Sequence, residues 1–176
     1  MMDNQALRNV PYWETRGRQE QERRSDAARS AKRVDFVSLK MIKESSLLYA
    51  RRQVRCAEDA VSLAAQFLED CDREQFVVIA LDTKHQPTRI QVVSVGSLDA
   101  TIVHPREVFK IAVLANSSAI VCLHCHPSGI PAHSPEDAAV TKRLCESGKI
   151  LGIDVLDHII IGDQGRFESL KAKGLV

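Results

Sequence analysis

The chain has 176 residues, 44% of them hydrophobic, and a formal net charge of +1 from 24 basic and 23 acidic side chains. That length suits one domain with a real core plus a tail, and the near-neutral balance argues against nucleic-acid or membrane binding through bulk charge. No apolar run approaches the roughly eighteen residues of a membrane span and no signal-peptide core is present, so a cytosolic setting is expected.

Residues 1–33 are rich in Arg, Glu, Gln and Asn, with one apolar cluster at Val10-Pro11-Tyr12-Trp13. Such a segment buries too little surface to offset its ordering entropy, so a disordered or charged helical tail is expected there. A folded domain is expected over 34–176. Its first element is a half-buried strand over 34–42, where Val37, Leu39 and Met41 alternate with Ser38 and Lys40. A helix follows over 57–70, with Val61, Ala64, Ala65 and Leu68 on one stripe. Two strands over 76–81 and 89–95, joined by the polar turn 82–87, read as an antiparallel hairpin. A helix over 105–116, a buried strand over 119–123, a helix over 135–147 stopped by Gly148, and strands over 155–161 and 166–169 complete the pattern. Strands mixed with helices, including a hairpin, predict an α+β (mixed α/β) fold with helices packed on a central sheet.

The chemistry concentrates in Leu123-His124-Cys125-His126-Pro127-Ser128-Gly129 and Ser134-Pro135-Glu136-Asp137. His124 and His126 are two apart at a strand end, so both imidazoles point to one face. Ser134 reads as an N-cap and Pro135 as the first helical residue, with two acids in the first turn. A Pro/Gly loop between strand end and helix start lets the two face each other. Two imidazoles and the Asp137 carboxylate, with one position left for water, form the ligand set of a catalytic zinc site. Ser134 and Asp137 also read as a capping box, which is compatible with a metal role. The five cysteines, Cys56, Cys71, Cys122, Cys125 and Cys145, are odd in number. Cys122 and Cys125 have no second pair to complete a zinc ribbon, so reduced thiols are expected.

His-x-His, seven residues, Ser, two residues, Asp resembles the JAMM motif of the JAB/MPN metalloproteases. The stretch from about Glu74 to Leu170 resembles the RadC family within that group. The matches are Gly96-Ser97-Leu98, His104-Pro105-Arg106-Glu107-Val108-Phe109, the His124 and Ser134 segments, and Leu156-Asp157-His158-Ile159-Ile160-Ile161-Gly162. The resemblance implies the MPN fold and a zinc-dependent hydrolase that attacks an amide or isopeptide carbonyl in a peptide or protein substrate. It implies zinc on His124, His126 and Asp137, Ser134 donating to the developing oxyanion, and a glutamate as general base. Two registers are open for that base. Glu74 stands before the first core strand, and Gln91 lies in the returning strand. Glu74 is chosen, because it precedes the right strand.

Cys125 stands where RadC-like proteins usually carry Asn, and alternation turns it away from the histidines. Asp157-His158 reads as a hydrogen-bonded supporting pair rather than a fourth ligand. His104 reads as helix-entry chemistry, Arg106 with Glu107 as a structural ion pair, and His85 and His133 as surface residues. A second function follows from the DNA-repair label that RadC-like proteins carry: an accessory protein of DNA repair or a mobile element that binds DNA or a protein partner, with metal but little turnover. The core shows no basic stripe or aromatic platform for DNA, so the hydrolase reading leads.

Overall fold

The apolar run at residues 75–81 has no polar alternation, and it forms a strand that is buried almost throughout, β1 (Gln75–Leu81). In this computed structural model, residues 34–68, 72–96 and 103–176 are described. The chain turns back after β1 because Asp82 Oδ1 accepts the backbone N–H groups of Lys84 (2.8 Å) and Gln86 (2.9 Å). The returning strand β2 (Pro87–Val95) pairs antiparallel with β1 and is less buried, as an edge strand should be.

The sheet centre is β3 (Ala119–Cys125), buried at every position. It runs antiparallel to β1 and parallel to β4 (Asp154–Ile161). A parallel neighbour requires a long crossover, which α3 (Pro135–Leu151) supplies. A short strand β5 (Phe167–Ser169) closes the order β2-β1-β3-β4-β5.

Period-two alternation divides the core. Val77, Ile79, Val121, Leu123 and Ile159 face α1 (Ala57–Leu68), which brings Ala60, Leu63, Ala64 and Leu68. Phe76, Val78, Ile120 and Cys122 face α2 (Pro105–Leu114) and α3, meeting Val108, Phe109, Ala112 and Leu144. Each fully buried Leu, Ile or Phe contributes about 1.5–3 kcal/mol, more than the fraction of a kcal/mol at stake in strand or helix propensity. Packing therefore dominates, and the expected α+β sheet with helices on it is the fold observed.

Three expectations need correction or placement. Residues 34–42 form no strand, and Phe36, Val37, Leu39 and Ile42 are exposed. Alternation is necessary for a strand but a ladder partner is also required, and among the described residues the sheet consists of the five strands from Gln75 onward. Lys43–Val176 is a compact unit. Helix α3 does not stop at Gly148 but runs through it to Leu151, and Gly152 (φ 68°) is the C-cap. Gly148 is there for contact: a Cβ on it would sit 2.4 Å from the Ile153 carbonyl oxygen. The expected tail over 1–33, Cys71, and Ser97-Leu98 lie outside the described residues. Among the described residues no helix is long and apolar enough to cross a membrane.

Candidate metal centre

The site forms at the C-terminal end of β3, where the chain leaves the sheet for α3. Carboxyl ends of parallel strands leave such crevices beside the following helix. His124 is buried on the α3 face of β3, and His126 follows just past the strand end. The two rings meet edge-on with centroids 4.7 Å apart, so the i, i+2 spacing does converge as expected. The backbone at His126 is held by its N–H donating to the Ile161 carbonyl (2.9 Å).

Hydrogen bonding sets the tautomers. His126 Nδ1 lies 2.9 Å from the Ile130 carbonyl oxygen, which can only accept, so Nδ1 carries the proton. His124 Nδ1 faces Asp137 Oδ1 at 3.1 Å and donates to that carboxylate. In the neutral imidazoles both Nε2 atoms are then bare lone pairs. His124 Nε2 is buried without a hydrogen-bond partner. An imidazole held through one nitrogen with the other bare is how metal-binding histidines are oriented.

Both carboxylates reach these nitrogens. Glu74 Oε2 lies 3.5 Å from His124 Nε2, and Asp137 Oδ2 lies 3.7 Å from His126 Nε2. Two ligand atoms on one tetrahedral ion with bonds of ~2.0–2.1 Å stand roughly 3.3 Å apart. The donor set thus fits a metal ion. Glu74, His124 and His126 place one ligand atom each within 4.8 Å of one another. The expected set contained Asp137 in place of Glu74. In the structure Asp137 is drawn to His124 Nδ1 and to Ser134.

Ser134 caps α3 as predicted. Its Oγ accepts from Asp137 N–H (3.1 Å), while Asp137 Oδ2 accepts from the backbone N–H (2.8 Å) and hydroxyl (2.7 Å) of Ser134. Asp stands where the usual box has Glu or Gln, and the same carboxylate also reaches His124. Burial pushes the Asp137 carboxyl up, but hydrogen bonds from His124 and Ser134 outweigh it and hold the group below its ordinary value. Asp137 is accordingly an anion beside two imidazoles.

Gln91 is exposed on the edge strand, opposite Val78, and is outside this cluster. Cys125 turns away from the histidines: its Sγ accepts from the Gln75 N–H (3.3 Å) and donates to the Arg73 carbonyl (3.5 Å). Both contacts flank Glu74. Cys56, Cys122, Cys125 and Cys145 form no disulfides among themselves.

Asp157 and His158 do not work as a pair, because adjacent strand residues face opposite sides. Asp157 accepts from Ser169 Oγ (2.7 Å) and Lys171 N–H (3.1 Å). His158 is fully buried, bonded to Thr141 Oγ1 (2.7 Å), and stacked near His124 with centroids 6.1 Å apart. Burial lowers its pKa to about 3, so it is neutral. Thr141 was missed in the sequence; its position four residues after Asp137, on the same helix face, was the available signal. His104 caps α2, its Nδ1 accepting from Arg106 N–H (3.2 Å), and Arg106 pairs with Glu107 at 3.6 Å, both as expected. His85 is exposed. His133 is not a plain surface residue, because it is bonded to Glu168.

Residues 54–175 match the RadC-like JAB domain family. The chain belongs to the RadC-like JAB domain family. It is similar to a UPF0758 protein of Desulforamulus reducens, 50% identical over 123 residues, which are 70% of this chain and 54% of that protein. A UPF0758 protein of Methanosarcina mazei is 49% identical over 126 residues, 72% of this chain and 55% of the relative. One from Geobacillus thermodenitrificans is 50% identical over 126 residues, with the same coverage of 72% and 55%. The chain therefore spans about half the length of the curated relatives it matches. In this RadC-like domain the two histidines, Ser134 and Asp137 stand at one strand-to-helix junction.

Proposed function

We propose that this RadC-like domain is a metal-dependent hydrolase, with zinc as the metal, acting on amide or isopeptide carbonyls of a peptide or protein substrate. The observation that carries the reading is the pair of bare Nε2 atoms on His124 and His126, each facing a carboxylate at 3.5 and 3.7 Å. His124, His126 and Asp137 would hold the ion, and Glu74 faces them from the head of β1. Zinc, when bound, supplies Lewis acidity that brings the pKa of its water to ~7. Glu74 accepts the proton of the attacking water and delivers it to the leaving amine. Its place before a strand buried between two helical layers keeps its backbone fixed. Asp137, which accepts from His124 Nδ1 in this structure, would turn an oxygen to the ion and add negative charge that favours a cation. Ser134 gives its only O–H to Asp137 in this structure. Turned from Asp137, that hydroxyl would donate to a developing oxyanion.

The test begins with elemental analysis of protein purified without added metal. About one zinc per chain is expected, with loss in His124→Ala and Asp137→Ala. Equal zinc in wild type and both variants would overturn the assignment. Glu74→Gln should keep zinc and fold while turnover of a peptide or isopeptide library falls by ~10²–10⁴-fold. Loss of zinc in Glu74→Gln would instead make Glu74 a ligand. Activity appearing only in Gln91→Glu would place the base on β2.

A further inference from the structure

Strand register lines up four residues in one row across the sheet: Phe76, His124, Ile160 and Glu168. Cross-strand neighbours share a face, so Glu168 lies on the same face as His124. Two strand spacings separate them, roughly 10 Å. Glu168 is not exposed as a short edge strand would suggest, since its side chain retains only 18% of its accessibility.

One oxygen of this carboxylate, Oε1, accepts twice from a single residue. It takes the backbone N–H of His133 at 3.1 Å and the ring Nδ1–H of His133 at 2.5 Å. The other oxygen, Oε2, is held by Lys173 Nζ at 3.0 Å. The hydrogen bond from His133 and the Lys173 ammonium bring the Glu168 pKa down to about 2.

His133 is the last residue before Ser134, where the chain enters α3. A helix entered at a fixed point moves as a rigid rod, and here the first turn of that rod carries Ser134 and Asp137. The earlier part of the same loop is held from the same hairpin. The Gly129 carbonyl accepts from Arg166 Nη2 (3.0 Å) and from Asp163 N–H (3.0 Å). Glycine is required there: its φ is +73°, and a Cβ would lie 2.0 Å from Asp163 Oδ2. The turn and strand over 162–169 thus grip the loop between His126 and Ser134 at two points.

We propose that Glu168 and His133 form a positioning clamp for the metal centre, setting where Ser134 and Asp137 stand relative to His124 and His126. The clamp rests on the metal reading above for its functional consequence, but its structural part can be measured without metal. Both residues lie outside the ligand set proposed above. They act through the backbone entry to α3.

The test uses the full chain as wild type, Glu168→Ala, Glu168→Gln and His133→Ala. Zinc affinity is measured by competition with a chromophoric chelator, and amide hydrogen exchange over residues 134–138 is followed in metal-free protein. Glu168→Ala should weaken zinc binding by about 10–100-fold, as loss of a supporting partner does, and speed exchange at the start of α3. His133→Ala should fall between, because Glu168 still holds the backbone N–H. Glu168→Gln should be partly rescued, since its amide oxygen accepts from His133, and it serves if Glu168→Ala does not fold. Zinc affinity within twofold of wild type in the Glu168 variants would overturn the clamp. If wild type binds no zinc, the metal reading fails, and exchange decides the clamp separately: faster exchange in the variants supports it, unchanged exchange overturns it.

Discussion

Thr141 decides which nitrogen of His158 carries the proton. Its Oγ1 donates to the Asp137 carbonyl at 2.7 Å, so towards His158 Nδ1, also at 2.7 Å, it can only accept. His158 is therefore the Nδ1–H tautomer, fixed by a hydroxyl with one proton to give. Thr141→Val keeps the shape and leaves a buried N–H unsatisfied, at a cost of about 1–3 kcal/mol. Urea denaturation of the metal-free protein should show that loss, and an unchanged midpoint would contradict a stabilising Thr141–His158 hydrogen bond. Glu168 gives a pH dependence with a definite sign. Its folded pKa of about 2 is depressed from an ordinary 4.5, so its contribution is complete above about 4.5 and is lost as pH falls toward 2. Metal-free wild type should lose melting temperature over that window more steeply than Glu168→Gln. Parallel curves for the two would remove Glu168 from the acid response.

At the scale of elements, α3 tests two glycines against each other. Gly148→Ala offers about 1 kcal/mol of helix propensity. It also drives a methyl to 2.4 Å from the Ile153 carbonyl oxygen, with Phe109 Cζ at 3.3 Å. Overpacking of that kind costs about 1–3 kcal/mol, and the nearer atom is backbone, which cannot rotate aside. Gly152→Ala meets nothing within 4 Å and suffers only the strain of its left-handed φ, about 1–2 kcal/mol. Thermal melts should show Gly152→Ala less stable than wild type, and Gly148→Ala no more stable than wild type because overpacking offsets the propensity gain. A stabilised Gly148→Ala would mean that α3 and β4 separate more easily than their packing implies. The β3-α3-β4 crossover would then not hold Asp137 rigidly against His124.

For the whole molecule, the buried apolar core runs from Val54 to Leu170, inside the compact unit Lys43–Val176. A chain beginning at Lys43 should therefore melt cooperatively, and limited proteolysis should cut among Arg16 to Arg33 and leave a folded fragment. Loss of the cooperative melt on truncation would show that earlier residues belong to the core. Retained folding with lost DNA affinity would favour the accessory-protein function over hydrolysis.

Local patterns by themselves determined much of this protein. The unbroken runs at β1 and β3, the polar turn at Asp82 and the Ser134 cap all depend on interactions within a few residues, so their physics is written in adjacent positions. The i, i+2 spacing was enough to bring His124 and His126 together, because strand geometry converts spacing directly into direction. Only the tertiary structure decided the rest. Residues 34–42 carry a strand pattern without a strand, because pairing needs an edge that no local pattern reveals. Gly148 reads as a helix stop until Ile153 and Phe109 are packed against it. Glu74 approaches His124 because antiparallel register puts the head of β1 beside the end of β3. His133 finds Glu168 across 35 residues only after β4 and β5 have paired. Contacts of that kind depend on which strands become neighbours, and strand order is settled by burial of the whole sheet rather than by any one segment.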